Sequence, residues 1–292
     1  MAQAPKISRI EAVVNVASGG ASAQDDEQMR ALLAGYGAHA NVQVADSGEI
    51  ERRLRSAVDA APDLLVILAG DGTARAAADM AGPQGPMIAP LPGGTMNMLP
   101  HAVYGAVPWR EALTDALERG VERDIGGGLI EGRSFLVAAI LGAPALWAPA
   151  REAVREGQLR LAFARMRRAW RRAFSGRLRY ALDDGPRGKA EALAFLCPLA
   201  STALADEAQS LEAAIIDPQT VGEAARIGFK ALVDDWRNDP AVSAGPCRQA
   251  RVWAASRIPA VLDGEPVWLA TNAAVDWRPQ VARLLAPRRE AG

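Results

Sequence analysis

The sequence predicts an α/β domain built on a parallel sheet, followed by a sandwich-like, mainly antiparallel β domain with helical insertions. Three observations carry this. Short apolar runs alternate with helical patterns as far as Gly120, the rhythm of β-α-β units. Beyond Gly120 the pattern becomes paired strand-like segments around tight turns. Glycine-rich junctions recur in the first half where a strand-like run meets a helix.

In chain order, the strand candidates of the first half are Ile10 to Val16, Asn41 to Val44, Leu64 to Leu68 and Met87 to Ala89. Between them, SGEIERRLRSAVDAA places Ile50, Leu54 and Val58 on one helical face, with Ser47 able to cap the start. An Ala-rich helix is expected from about Ala74, and PWREALTDALERG reads as a closing helix with Pro108 at its first position and Gly120 at its end. In the second half, RDIGGGLIEGRSFLVAAILG reads as two strands joined by a tight turn. RLRYALDDGPRGKAEALAFLCPLA reads as a hairpin around Asp-Gly-Pro. ARVWAAS, IPAVLDG and EPVWLAT supply later strands. The expected domains are 1–121 and 122–278, with 279–292 returning to the first.

At 292 residues and 50% hydrophobic content, the chain can bury two ordinary cores. Its net charge of -1 argues for no particular partner, but the distribution does. Between Arg151 and Arg179 ten Arg stand against two Glu, leaving 23 basic and 32 acidic residues elsewhere. Cys197 and Cys247 form no spacing pattern, which argues against a disulfide or zinc site. The apolar run from Phe135 is broken by Gly142, Pro144 and Pro149, short of the roughly 18 apolar residues of a membrane span. The chain reads as a soluble, cytoplasmic protein.

The three junctions are NVASGG at Asn15 to Gly20, AGDGT at Ala69 to Thr73, and PGGTMN at Pro92 to Asn97. In a parallel sheet all three lie along the C-terminal edge of the strands, where ligands bind. Glycine lets backbone N–H groups approach a phosphate, and a following helix N-terminus favours negative charge. Asp71 would repel a phosphate by itself, so it implies either Mg²⁺ or a base acting on an attacking hydroxyl. The plainer reading is that Asp71 and Thr73 cap the helix that follows. No GxxxxGK[ST] is present, the lysines (Lys6, Lys189, Lys230) lie outside the glycine loops, and no GxGxxG follows a strand. Walker-type and Rossmann nucleotide sites are therefore not indicated. Neither His39 nor His101 has a partner at metal-ligand or triad spacing.

Asn15-Val16-Ala17-Ser18-Gly19, Ala69-Gly70-Asp71-Gly72-Thr73 and Gly94-Thr95-Met96-Asn97 resemble the NPxSG, GGDGT and GTxN motifs of the diacylglycerol kinase catalytic family, related to sphingosine and NAD kinases. Asp263-Gly264-Glu265 resembles the DGE element of the lipid-kinase branch. The resemblance implies an ATP- and Mg²⁺-dependent lipid kinase, acting in lipid metabolism and phospholipid biosynthesis. It implies an ATP site lined by Asn15, Ser18, Gly19, Gly70, Gly72, Thr73, Gly94, Thr95 and Asn97. Asp71 would lie near Mg²⁺ or the transferred phosphoryl group. For the base that takes the lipid hydroxyl's proton it offers Asp263, the preferred candidate, with Glu265 beside it, or Asp71. Asp206 is a weak candidate for a structural Mg²⁺ ligand.

The sequence departs from these motifs at Val16, Ala69 and Met98, the last standing where many members carry aspartate. These departures keep a non-catalytic ATP- or lipid-binding regulator as one alternative, and an NAD kinase-like enzyme as another. In QLRLAFARMRRAWRRAF, Leu159, Phe163, Met166, Trp170 and Phe174 fall at helical spacing among arginines. That pattern suits peripheral contact with an anionic membrane, at the inner face, through Leu159–Phe174, or packing on the sandwich. Nucleic acid is not expected, since no reading motif accompanies the arginines.

Overall fold

A computed structural model describes residues 5–22, 24–46, 48–142, 177–201, 209–218 and 239–288, together with 145, 204, 220, 223 and 237. Two compact units emerge: residues up to Gly126 with those from Pro279 onward, and Gly127–Arg278. Ser47 and most of the region expected to hold helical insertions lie outside the described residues.

The first unit runs β1 (Arg9–Asn15), α1 (Asp25–Ala34), β2 (His39–Ala45), α2 (Ile50–Asp59), β3 (Leu64–Ala69), α3 (Asp71–Ala81), β4 (Met87–Pro92), α4 (Met98–Tyr104) and α5 (Trp109–Arg119). The strands pair in parallel in the order β2-β1-β3-β4. All six residues of β3 are buried, as a strand covered on both faces requires. α3 buries Ala74, Ala77, Ala78 and Ala81, whose small side chains bring its axis close to the sheet. α2 buries Leu54 and Ala57, with Ile50 and Val58 half-buried beside them. α5 starts at Trp109 with Pro108 as its cap, one residue later than expected, and buries Trp109, Ala112, Leu113 and Ala116 at helical spacing.

In the second unit, β5 (Gly120–Ile130), which starts in the first unit, turns at Glu131-Gly132 into β6 (Arg133–Phe135), followed by β7 (Ala138–Gly142). The stretch read as two strands is therefore three. β8 (Leu178–Leu182) and β9 (Gly188–Ala190) form the expected hairpin. β10 (Ala192–Leu196), β11 (Leu211–Ile216), β12 (Val242–Cys247), β13 (Gln249–Trp253), β14 (Ile258–Leu262) and β15 (Glu265–Leu269) follow. One antiparallel sheet has the order β12-β11-β10-β7-β14-β15. The last strand, β16 (Asn272–Pro287), pairs antiparallel with β13 and, further on, in parallel with β4 at Arg283 and Leu284. Leu141, Leu193, Phe195 and Ile258 of the six-stranded sheet share one core with Leu178, Val252 and Val275 of the other strands, which makes this unit a sandwich. Among the described residues no helix is long and apolar enough to cross a membrane.

Candidate active site

The three glycine loops follow the C-terminal ends of β1, β3 and β4 and mesh through their backbones. Gly20 N–H donates to Gly93 O at 3.2 Å, and Gly93 N–H donates to Ala69 O at 3.2 Å. A Cβ on Gly20 would lie 2.7 Å from Gly94 O, one on Gly93 2.6 Å from Ala69 N, and one on Gly94 2.5 Å from Gly70 Cα. Any side chain at these three positions would push the loops apart. Gly20 and Gly93 were not singled out by the motif reading; the doubled glycines in NVASGG and PGGTMN are the signal they left.

Side chains lock the mesh from within. Asn15, buried at the end of β1, accepts Ala17 N–H at 3.1 Å through Oδ1. The Ser18 hydroxyl lies 2.6 Å from Asn15 O and 2.5 Å from Gly93 O, tying the first loop to the third. Gly19 has φ +77°, which favours glycine. Asn97 also sits in the left-handed region, φ +51°, and holds the third loop by accepting Gly94 N–H at 2.8 Å and donating to Gly94 O at 3.1 Å. Thr95 and Met96 are exposed at the tip of that loop.

The helix after the second loop starts at Asp71 rather than near Ala74, with Gly70 as its cap and no side chain capping it. The reading of Asp71 and Thr73 as caps of their own helix therefore fails. Instead Asp71, 8% exposed, accepts Leu99 N–H at 2.9 Å through Oδ1, so it caps the first turn of the neighbouring α4. Its Oδ2 makes no hydrogen bond among the described residues. Thr73 N–H and Ala74 N–H return to Gly70 O, while the N–H groups of Asp71 and Gly72 precede any intrahelical acceptor. The α3 N-terminus is thus an uncapped pair of donors in a glycine cradle, with one carboxylate oxygen beside it. Such an arrangement binds anions. Ala69 is extended and buried in β3, so its extra methyl adds no strain, and Met98 is the first residue of α4.

In the second unit, Asp263-Gly264 forms the two-residue turn between β14 and β15, with φ +45° and +87°. The Asp263 carboxylate is 3% exposed and accepts Leu136 N–H at 2.7 Å, Val137 N–H at 2.9 Å and Ala138 N–H at 2.9 Å. Oδ1 accepts two of these N–H groups and Oδ2 one, so the carboxylate is held against the backbone leading into β7. These bonds tie the turn to the residues that lead into β7. Glu265 is exposed at the closing position of the same hairpin, opposite Leu262.

Asp206 and the Leu159–Phe174 segment lie outside the described residues. Among the described residues no group of three or more His, Cys, Asp or Glu could hold a metal ion. Within the three loops the acidic residue is Asp71, so a divalent cation there would share its ligands with bound phosphate oxygens. Cys197 and Cys247 are free and buried; burial pushes the Cys247 thiol up to about 12, and neither is suited to nucleophilic chemistry.

Residues 9–127 match the family model of the diacylglycerol kinase catalytic domain. The first unit is thus similar to that catalytic domain. The match includes all three glycine loops, and it supports a phosphotransferase. No curated protein matches the chain in sequence. The whole chain is similar in fold to a diacylglycerol kinase from Bacillus anthracis strain Sterne, with 14% identity, 97% of this chain and 98% of that one covered, and a TM-score of 0.70. It is also similar to yeast NADH kinase, whose structure was solved with NADH, at 12% identity, 93% and 78% coverage and a TM-score of 0.51. The expected combination of α/β domain and β sandwich is the fold of these enzymes.

Proposed function

We propose that the protein is an ATP-dependent lipid kinase that transfers the γ-phosphoryl group to a lipid hydroxyl. The observation that carries this reading is the uncapped N-terminus of α3 within the meshed glycine loops, with Asp71 Oδ2 beside it. The loops present backbone donors and no lysine or arginine, which suits a polyphosphate held by N–H groups and a divalent cation. The DGE element and the near-complete coverage of the Bacillus diacylglycerol kinase support a lipid acceptor over a dinucleotide.

The chain's own work is positioning. Gly70, Gly72 and Thr73 face the phosphates; Asn15, Ser18, Gly19, Gly94, Thr95 and Asn97 shape the cradle. Mg²⁺, when bound, neutralises charge on the phosphate oxygens, and Asp71 and Thr73 are the residues that would hold it. Of the carboxylates named by the resemblance, Asp71 is our choice for the group beside Mg²⁺ and the transferred phosphoryl, because its Oδ2 carries no N–H donor whereas Asp263 accepts three.

The test is transfer of label from γ-labelled ATP, with Mg²⁺, into a total lipid extract and separately into NAD, with Asp71→Ala as control. A labelled lipid that is absent with the variant is the expected result. Label in NAD would replace this reading with a dinucleotide kinase, and nucleotide binding without any labelled product would replace it with a regulator.

A further inference from the structure

The first glycine loop is fixed at its near end by Asn15 and Ser18, and its far end is held by a residue outside the motifs. Asp25, the first residue of α1, is 7% exposed. Its Oδ2 accepts Ser22 N–H at 2.7 Å and Ser22 Oγ–H at 2.9 Å. Its Oδ1 accepts Trp109 Nε1–H at 3.1 Å and Arg110 Nη2–H at 3.3 Å, both from the start of α5. Asp25 N–H returns to Ser22 O at 3.1 Å, so Ser22 to Asp25 form a closed turn. The carboxylate joins that turn to an indole 84 positions away in sequence.

Starting a helix requires none of this. Asp26 and Glu27 share the first turn of α1 and favour its N-terminus from outside the core, whereas a buried carboxylate costs free energy that its donors must offset. Burial pushes the Asp25 carboxyl up, but the bonds from Ser22 and Trp109 and the Arg110 guanidinium outweigh it and hold the group below the usual range. These donors restrain two parts of the cradle at once. Ser22 lies two residues after Gly20, whose N–H reaches Gly93 O through a gap with no room for a Cβ. Trp109 and Arg110 open the helix that follows α4, and α4 is the helix whose first turn Asp71 caps at Leu99. Asp25 from the first loop and Asp71 from the second therefore hold one stretch, residues 98–110, which follows directly from the third loop.

We propose that Asp25 is a positioning residue of the phosphate cradle, which fixes the path of the first loop through Ser22 and α5 and thereby sets nucleotide affinity. The inference rests on the reading of the cradle as a polyphosphate site. Asp25 acts through the loop and not on the ligand, because four donors occupy its oxygens and little of it meets solvent. A loop released from it spends part of its time off the bound path, and the apparent dissociation constant rises by the inverse of the fraction that stays on it.

The test measures kcat and KM for ATP in the label-transfer assay, and the Kd of a fluorescent ATP analogue, for the full chain and for Asp25→Asn and Ser22→Ala. In Asp25→Asn the amide NH2 meets donors on one side, so one of the two attachments is lost. Ser22→Ala removes a single hydroxyl bond at an exposed residue and is expected to melt as wild type does. KM and Kd should rise roughly tenfold in Asp25→Asn and roughly threefold in Ser22→Ala, with kcat within about twofold of wild type. A merely structural role would lower the melting temperature of Asp25→Asn and leave KM and Kd unmoved at temperatures below the transition. KM and Kd within about twofold of wild type in both variants would overturn the proposal whatever their melting temperatures, as would a fall in kcat with no change in KM. If wild type binds the analogue but transfers no label, the kinase reading fails while the Kd comparison still decides the role of Asp25. No binding of the analogue to wild type would overturn the phosphate reading of the loops and this inference with it.

Discussion

Asp71 caps a helix to which it does not belong, and that separates its structural use from its chemical one. Asp71→Asn keeps an Oδ1 that can accept Leu99 N–H, so it is expected to melt close to wild type while losing about 100-fold or more in transfer. Asp71→Ala should lose activity and also stability, by roughly 1 kcal/mol for the missing cap. Calorimetry and label transfer on both variants check this; equal activity of Asp71→Asn and wild type would remove Asp71 from the chemistry. Gly94→Ala places a Cβ 2.5 Å from Gly70 Cα, where backbone has no room to yield. It should lower the melting temperature and abolish nucleotide binding, measured by a fluorescent ATP analogue, because the second and third loops can no longer mesh. Asp263→Ala strands two buried N–H groups, of Leu136 and Val137, at about 1–3 kcal/mol each, and the half-buried one of Ala138, and should lower the melting temperature by roughly 10 °C or more. Loss of transfer in Asp263→Ala with unchanged melting would contradict its role as a tie.

The start of β10 carries a buried group that works against the fold at neutral pH. Glu191 is 8% exposed, its Oε1 has no partner, and burial raises its carboxyl above the usual range, with Arg177 lowering it and Asp217 raising it again. A carboxyl with a raised folded-state value favours the fold while protonated. Its contribution falls away as pH rises from the unfolded-state value through the folded one. Glu191→Gln imitates the protonated form, so it should raise the melting temperature by a few degrees at pH 8 and leave it nearly unchanged at pH 4. Thermal melts at the two pH values check the sign; destabilisation at pH 8 would mean that the anion is the favoured form. In the first unit's parallel sheet, β4 tolerates Pro90 and Pro92 because β16 runs beside it only at Met87 and Ile88, before either proline removes a donor.

At the scale of the whole molecule, ten arginines between Arg151 and Arg179 set one segment apart from an acidic remainder. If Leu159–Phe174 docks on anionic lipid, the protein should sediment with phosphatidylglycerol vesicles at low salt and be released at high salt. Trp170→Ala with Arg171→Ala should weaken that retention, and unchanged retention would assign the segment elsewhere. The alternation of β3 with its flanking helices, the all-apolar run Leu64 to Leu68, and the two hairpin turns were legible in the sequence because burial and turn chemistry are local in sequence. For the same reason the sequence assigns the three glycine loops to one sheet edge. That Gly20, Gly93 and Gly94 pack backbone on backbone was not legible, since contact between residues some seventy positions apart leaves only a doubled glycine behind. Asp263 is the sharper case: its motif pointed to chemistry, while its three donors come from residues more than a hundred positions away. The sequence by itself determined the fold class, the family resemblance and which residue types stand at the phosphate loops. Only the tertiary structure decided which N–H donors meet Asp71 and Asp263, because the donors that occupy a buried carboxylate are brought to it by folding.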